Sequence, residues 1–287
     1  MAKPHWKKST VSLSLTDYYC ASIAPGSATL LLMRHGWRPA VVQKTMARTE
    51  TRADASPWLA ELGLLEGLLG EARRGAPLSI TLSNHYLRYR LVPAPPPSMT
   101  DTGVQSLIRH CFRETYGDAA DGWKIQANPM PGRGDLVACA VDRALMEGLQ
   151  AAAGKSGLKL VSAQPYFMNG FNAAHRNIGG AATCFVQVEA GRIVMGTMRG
   201  KKWLGLRAVT ATPRWKEELP AHIQREILLA GWGDTAPDIF LHAPESGQSI
   251  DLENMRHWKI NLVMTGRIAG HSPKDDSHYA LALSGVR

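Results

Sequence analysis

The chain has 287 residues, 45% hydrophobic and 20% charged, a composition that excludes a disordered or fibrous protein and leaves room for one large core or two smaller ones. Its net charge of +9 asks for an acidic partner, and nucleic acid, anionic lipid headgroups or an acidic protein surface would each serve. Apolar stretches such as Leu59 to Leu69 fall far short of the roughly 20 residues that cross a bilayer.

The N-terminal stretch "MAKPHWKKSTVSLSLTDYYC" starts with positive charge, but its apolar residues alternate with Ser and Thr and it contains Asp17. It reads as a strand and not as a signal peptide, so a cytoplasmic protein is expected. "TVSLSLTDYYCASIAPGSATLLLMRHGWRPAVV" predicts strands folded back on one another, a meander placed at residues 10–35. A helix follows in "SPWLAELGLLEGLLGEARRG", with Ser56 as cap, Pro57 at its first position, leucines 59, 62, 65 and 69 on the apolar face and Gly75 as stop.

"PLSITLSN" then reads as a buried strand and "YLRYRLVP" as a half-exposed one, with "APPPS" a stiff connector. "TDTGVQSLIRHCFRETYG" sets Val104, Leu107, Ile108, Cys111, Phe112 and Tyr116 on one helical face. "DLVACAV" is a strand, "DRALMEGLQAAAG" a helix capped by Asp142, "LKLVSAQP" a strand and "YFMNGFNAAHR" a helix. A second meander, "TCFVQVEAGRIVMGTMRGKKWLGLRAV", occupies 183–210. A helix starting near Pro220, strands in "DIFLHA" and "HWKINLVM", and a last segment "SHYALALSGVR" returning to the sheet complete the chain.

Three strands followed by alternating helix and strand thus occur twice, which predicts an α/β pair of halves around a cleft. The boundary falls at Asn177–Ala182, giving a first half over 1–178 with an inserted subdomain and a second over 179–287. Cys20, Cys111, Cys139 and Cys184 are dispersed among apolar neighbours and read as core residues. No HExxH or clustered ligand set points to a metal. "AAAGKSG" at 151–157 contains the GKS of a phosphate loop, but Leu149 stands where the motif wants glycine, and a helix precedes it; Gly154 reads as a helix stop.

The duplicated meander, "ITLSNHYLRYRLVP", "LIRHCFRETYG" and "DLVACAVDRALMEGLQAAAGKSGLKLVSAQP" together resemble the actin-like assembly proteins of type IV pili and type II secretion: PilM, the cytoplasmic domain of GspL, and the MshI group. The resemblance implies the actin and Hsp70 ATPase fold, two RNase H-like halves around a cleft. Active members of that fold carry an acid and a glycine in the first turn of each meander, the acid for magnesium and the glycine for close approach of phosphate. Aligned by strands, Ser14 and Thr16 stand there in the first half, Gln187 and Glu189 in the second. Asp17 and Glu189 read as turn residues, and Gly191 closes the second turn. "LHAPES" lacks the paired glycines that commonly pack on adenosine. A vestigial cleft without cofactor, metal or catalytic residue is therefore expected, and "VSLSL" also lacks the carboxylate an RNase H-like nuclease needs in its first strand.

The resemblance further implies a non-catalytic scaffold, peripheral to the inner membrane, that binds the cytoplasmic tail of a PilN- or GspM-like membrane protein, with an assembly ATPase a further partner. An ATP-binding actin-like ATPase and a basic nucleic-acid-binding module are the alternatives. The interface is expected on the alternating strand, where Tyr86, Arg88 and Arg90 share one face, or else on the basic turn at Arg199, Lys201 and Lys202.

Overall fold

In the computed structural model, the structure describes residues 17–286 apart from 50–55, 129–134, 179, 234, 247–254, 256, 265 and 267. The first half opens with an antiparallel meander, β1 (Tyr18–Ala24), β2 (Ser27–Arg34) and β3 (Ala40–Arg48). It continues through α1 (Leu59–Gly70) to β4 (Pro77–Leu82). A three-stranded sheet is inserted next: β5 (Leu87–Val92), α2 (Asp101–Tyr116), β6 (Trp123–Asn128) and β7 (Leu136–Asp142). The chain returns through α3 (Arg143–Lys155), β8 (Lys159–Pro165) and α4 (Tyr166–Ala174).

The second half repeats the plan with β9 (Thr183–Glu189), β10 (Arg192–Arg199), β11 (Lys202–Thr210), α5 (Trp215–Leu229), β12 (Asp238–His242) and β13 (Ile260–Leu262), and α6 (Ala280–Leu283) follows. The two main sheets have matching orders, β3-β2-β1-β4-β8 and β11-β10-β9-β12-β13. In each, an antiparallel meander feeds parallel strands, β1 onto β4 and β9 onto β12. The inserted sheet has the order β5-β7-β6, which leaves β5 on an edge.

Sequence chemistry accounts for most of these elements. Thr100 caps α2 by accepting from Gly103 N–H, and Asp142 caps α3 by accepting from Ala144 N–H at 2.8 Å. Four expectations need correction. The cap of α1 is Trp58, not Ser56, and Leu59 is exposed while the acid Glu61 is buried. Gly154 lies inside α3; the chain leaves that helix at Gly157, whose φ of +67° favours glycine. Helix α5 starts at Trp215 and runs through Pro220, its first turn stabilised by Glu217 and Glu218 at the positive end of the helix. The C-terminal segment is helical at Ala280–Leu283, because Ala and Leu favour helix and this turn packs against β1, β2 and β4 instead of pairing with them.

One buried cluster joins the halves. Phe167, fully buried on α4, has its ring 5.5 Å from Tyr89 of the inserted sheet, 5.4 Å from Phe185 on β9 and 6.2 Å from Trp203 on β11. Gly196 on β10 makes this packing feasible, since a Cβ there would lie 2.2 Å from the Trp203 ring.

Candidate functional site

Strand pairing fixes which residues of the two halves correspond. Ala24 pairs with Ser27 across the turn Pro25–Gly26, and Glu189 pairs with Arg192 across Ala190–Gly191. Gly26 and Gly191 take the same positive φ, 75° and 77°. Counting back from each turn, Ser22 is the counterpart of Gln187, and Ala24 of Glu189. The expected meander at residues 10–35 is therefore displaced to 18–48. Ser14 and Thr16 fall outside the described residues, and Asp17 precedes β1 at the end remote from the turn. Ser14 and Ser22, eight residues apart, each sit between apolar residues, and the sequence alone does not say which of them precedes the turn by the right number of residues.

In an active actin-like protein the amides of such turns face phosphate. Here one amide of each turn is taken by a carboxyl group of the same chain. Gly26 N–H donates to Glu61 Oε1 at 2.7 Å, and Ala190 N–H donates to Glu245 Oε2 at 3.1 Å. Glu61 is held on the first turn of α1, and Glu245 lies just beyond β12 in "APES".

The second turn is also clamped from the first half. Glu189 accepts from Ser83 Oγ and, at 3.0 Å, from Asn84 N–H. His85 Nε2–H donates to the Ala190 carbonyl at 2.8 Å, and its ring lies against Gly191. Burial pushes the Glu189 carboxyl up to about 7 against the lowering pull of Ser83 and Asn84. Burial does the same to Glu245, also to about 7, helped by the charge of Glu189. A cleft of about 520 Å³ opens beside them, lined by Ser22, Thr29, Arg48, Glu189 and Glu245 among others. A phosphate entering it must displace Glu245 from Ala190 and meet two carboxyl groups.

Gln187 is fully buried beneath the turn, close to Tyr166 and His242. Burial lowers its neighbour His242 to about 4, so that ring is neutral near pH 7. A Cβ at Gly170 would lie 2.7 Å from both Gln187 Oε1 and His242 Nδ1, so glycine is what lets α4 approach here. Among the described residues no group of three or more His, Cys, Asp or Glu could hold a metal ion.

A second concavity, about 660 Å³, runs between the β5 edge of the inserted sheet and the β11 edge of the second half. Arg88, Arg90, Arg192 and Arg207 line it, with Tyr116 and residues 204–206. Arg88 donates to the His85 and Leu87 carbonyls at 3.2 and 3.0 Å, and Arg207 pairs with Glu226 at 2.6 Å. The Nε groups of Arg90 and Arg192 are buried without a hydrogen-bond partner among the described residues. Burial and nearby Arg88 lower the Arg192 guanidinium. Tyr86 is placed differently from its expected face: only 7% exposed, it sits in a 3-10 turn ahead of β5. Arg199, Lys201 and Lys202 form an exposed turn between β10 and β11.

Glu61 and Glu245 were missed in the sequence. The available signal for Glu61 was one acid among the leucines of an otherwise apolar helix. Among the described residues no helix is long and apolar enough to cross a membrane.

No protein-family model matches the chain, and no curated protein is similar to it in sequence. Among solved structures it is similar to a chain of the PilM-PilN type IV pilus biogenesis complex, with TM-score 0.70 and 15% identity over 94% of this chain and 98% of that one. It is similar to the cytoplasmic domain of EpsL, an inner membrane component of the type II secretion system of Vibrio cholerae, with TM-score 0.58, 9% identity and coverage of 94% and 93%. A Bacteroides thetaiotaomicron protein with actin-like ATPase fold gives TM-score 0.57 at 8% identity, with coverage of 94% and 96%. At such identities the likeness speaks for the fold, and that fold is the duplicated, actin-like one shared with PilM-type and EpsL-type proteins.

Proposed function

We propose that this chain is a non-catalytic actin-like scaffold in the inner-membrane platform of a type IV pilus or type II-like secretion system. The observation that carries this reading is the double capping of the phosphate turns, Gly26 by Glu61 and Ala190 by Glu245. A fold that fills its own anion seats keeps the two-lobed shape and gives up the chemistry. In this reading residues 1–178 and 179–287 are the halves, and the protein works in the cytoplasm beside the inner membrane. It is held there by the cytoplasmic tail of a PilN- or GspM-like protein, with an assembly ATPase a further partner.

The groove between β5 and β11 supports the partner role, because arginines line it beside two edge strands whose outer sides pair with no strand among the described residues. The solved complex with PilN adds analogy at the level of fold. Co-purification of the full chain with the PilN-like membrane protein of the same genome, in the absence of ATP, tests the proposal. Capture is expected; a chain that ignores that protein and turns over ATP would overturn it.

A further inference from the structure

The β2–β3 loop, residues 35–39, lies at the end of the sheet opposite the Pro25–Gly26 turn, about 25 Å away along strand β2 at roughly 3.3 Å per residue. Its Trp37 is 99% exposed, the most exposed large apolar side chain among the described residues. Arg34 and Arg38, both exposed, flank it, and Pro39 stiffens the exit. Residues 34–49 contain four cationic side chains, Arg34, Arg38, Lys44 and Arg48, and no acid. Lys44 is neutralised by Asp276 at 2.6 Å, and Arg48 sits at the cleft end opposite Ser27, so among the described residues the free charge of the tip is Arg34 and Arg38. Asp17, one residue ahead of the Tyr18–Met33 pair, offsets at most one of them.

We infer that this tip touches the surface of an anionic lipid bilayer, Trp37 entering the headgroup layer and the two guanidiniums meeting lipid phosphates. Exposing a whole indole to water is unfavourable, whereas the membrane interface suits a ring with one polar edge. Guanidinium matches phosphate geometry, and the chain's charge of +9 adds attraction to a negative surface. A protein partner fits less well, because a five-residue loop cannot supply the roughly 800 Å² per side of a standard protein interface. The contact is independent of the β5–β11 groove and would hold the scaffold in one orientation at the membrane.

Sedimentation of the full chain with vesicles of equimolar phosphatidylglycerol and phosphatidylcholine, against phosphatidylcholine alone, tests this. Binding to the anionic vesicles only is expected. Trp37→Ala, and separately Arg34→Glu with Arg38→Glu, should weaken it about tenfold or more while leaving the melting temperature unchanged. Arg109→Glu with Lys124→Glu makes the same change in net charge on the exposed inserted subdomain and should bind as wild type. The proposal is overturned if the wild type ignores anionic vesicles, if the tip variants bind normally, or if the Arg109 and Lys124 variant loses as much.

Discussion

The backbone amide of Ala190 donates to the carboxylate of Glu245, 55 residues further along the chain, at 3.1 Å. The equivalent turn of the other half does the same with Glu61, reached from a different element. Each turn thus has one amide held by a carboxyl group of the same chain, at adjacent positions of the turn: Gly26 matches Gly191, and Ala190 matches Pro25, which has no N–H.

The first consequence concerns nucleotide. Calorimetry of the wild-type chain with Mg-ATP is expected to show no micromolar binding, and no ATPase activity should be measurable. Placing Asp at Ser22 and Gln187, with folding checked by circular dichroism, should not create turnover, because Glu61 and Glu245 still cover the amides. Micromolar affinity in the wild type refutes the capped-turn account.

The second concerns pH. Glu189 and Glu245 are raised from 4.5 to about 7, so the folded state holds their protons more tightly than the unfolded chain. Their stabilisation is complete below about 4.5 and is lost as pH rises through 7, by at most about 3 kcal/mol per group. His242, lowered to about 4, acts oppositely and removes stability as pH falls from 6.5 toward 4. Glu245→Gln keeps an acceptor for Ala190 N–H and removes the titration. Between pH 5 and 8 its melting temperature should fall less than that of wild type, by several degrees at about 2–4 °C per kcal/mol. Parallel curves for the two proteins would rule out Glu245 as the titrating group.

The sequence carried the repeat well, because each meander opens with two short apolar strands joined by a two-residue turn closed by glycine, and these are local signals. Register within the first strand was not legible: Ser14 and Ser22 each stand between apolar residues, and only pairing with β2 and β4 selects one. Strand β6 also escaped notice, although Trp123, Ile125 and Ala127 alternate and pack on the core under α2. The caps were invisible for a stronger reason. Glu61 and Glu245 act across 35 and 55 residues, and no local pattern reports where a buried carboxylate finds its amide.

The third prediction concerns how the halves hold together. Phe167 is fully buried between Tyr89, Phe185 and Trp203, so Phe167→Ala should cost about 3–5 kcal/mol by loss of burial and the cavity left behind. Thermal melting should drop by roughly 10 °C or more. A drop of only a degree or two would show that this cluster does not join the halves.

The last prediction places the partner. Arg88 and Arg90 are half-buried at the mouth of the β5–β11 groove, and neither pairs with a carboxylate among the described ion pairs. Arg90 and Arg192 each present an Nε without a partner among the described residues, so an entering acidic or polar side chain would have donors to meet. Arg88→Glu with Arg90→Glu reverses charge along one wall while keeping strand-compatible side chains. Co-purification with the PilN-like membrane protein should be abolished, and the melting temperature should stay within a few degrees because both residues already reach solvent. The parallel variant, with Glu at Arg199, Lys201 and Lys202, alters an exposed turn outside the groove and should bind normally. If the folded Arg88 and Arg90 variant still binds and the turn variant does not, the tail docks on the β10–β11 turn, and the groove serves some other purpose.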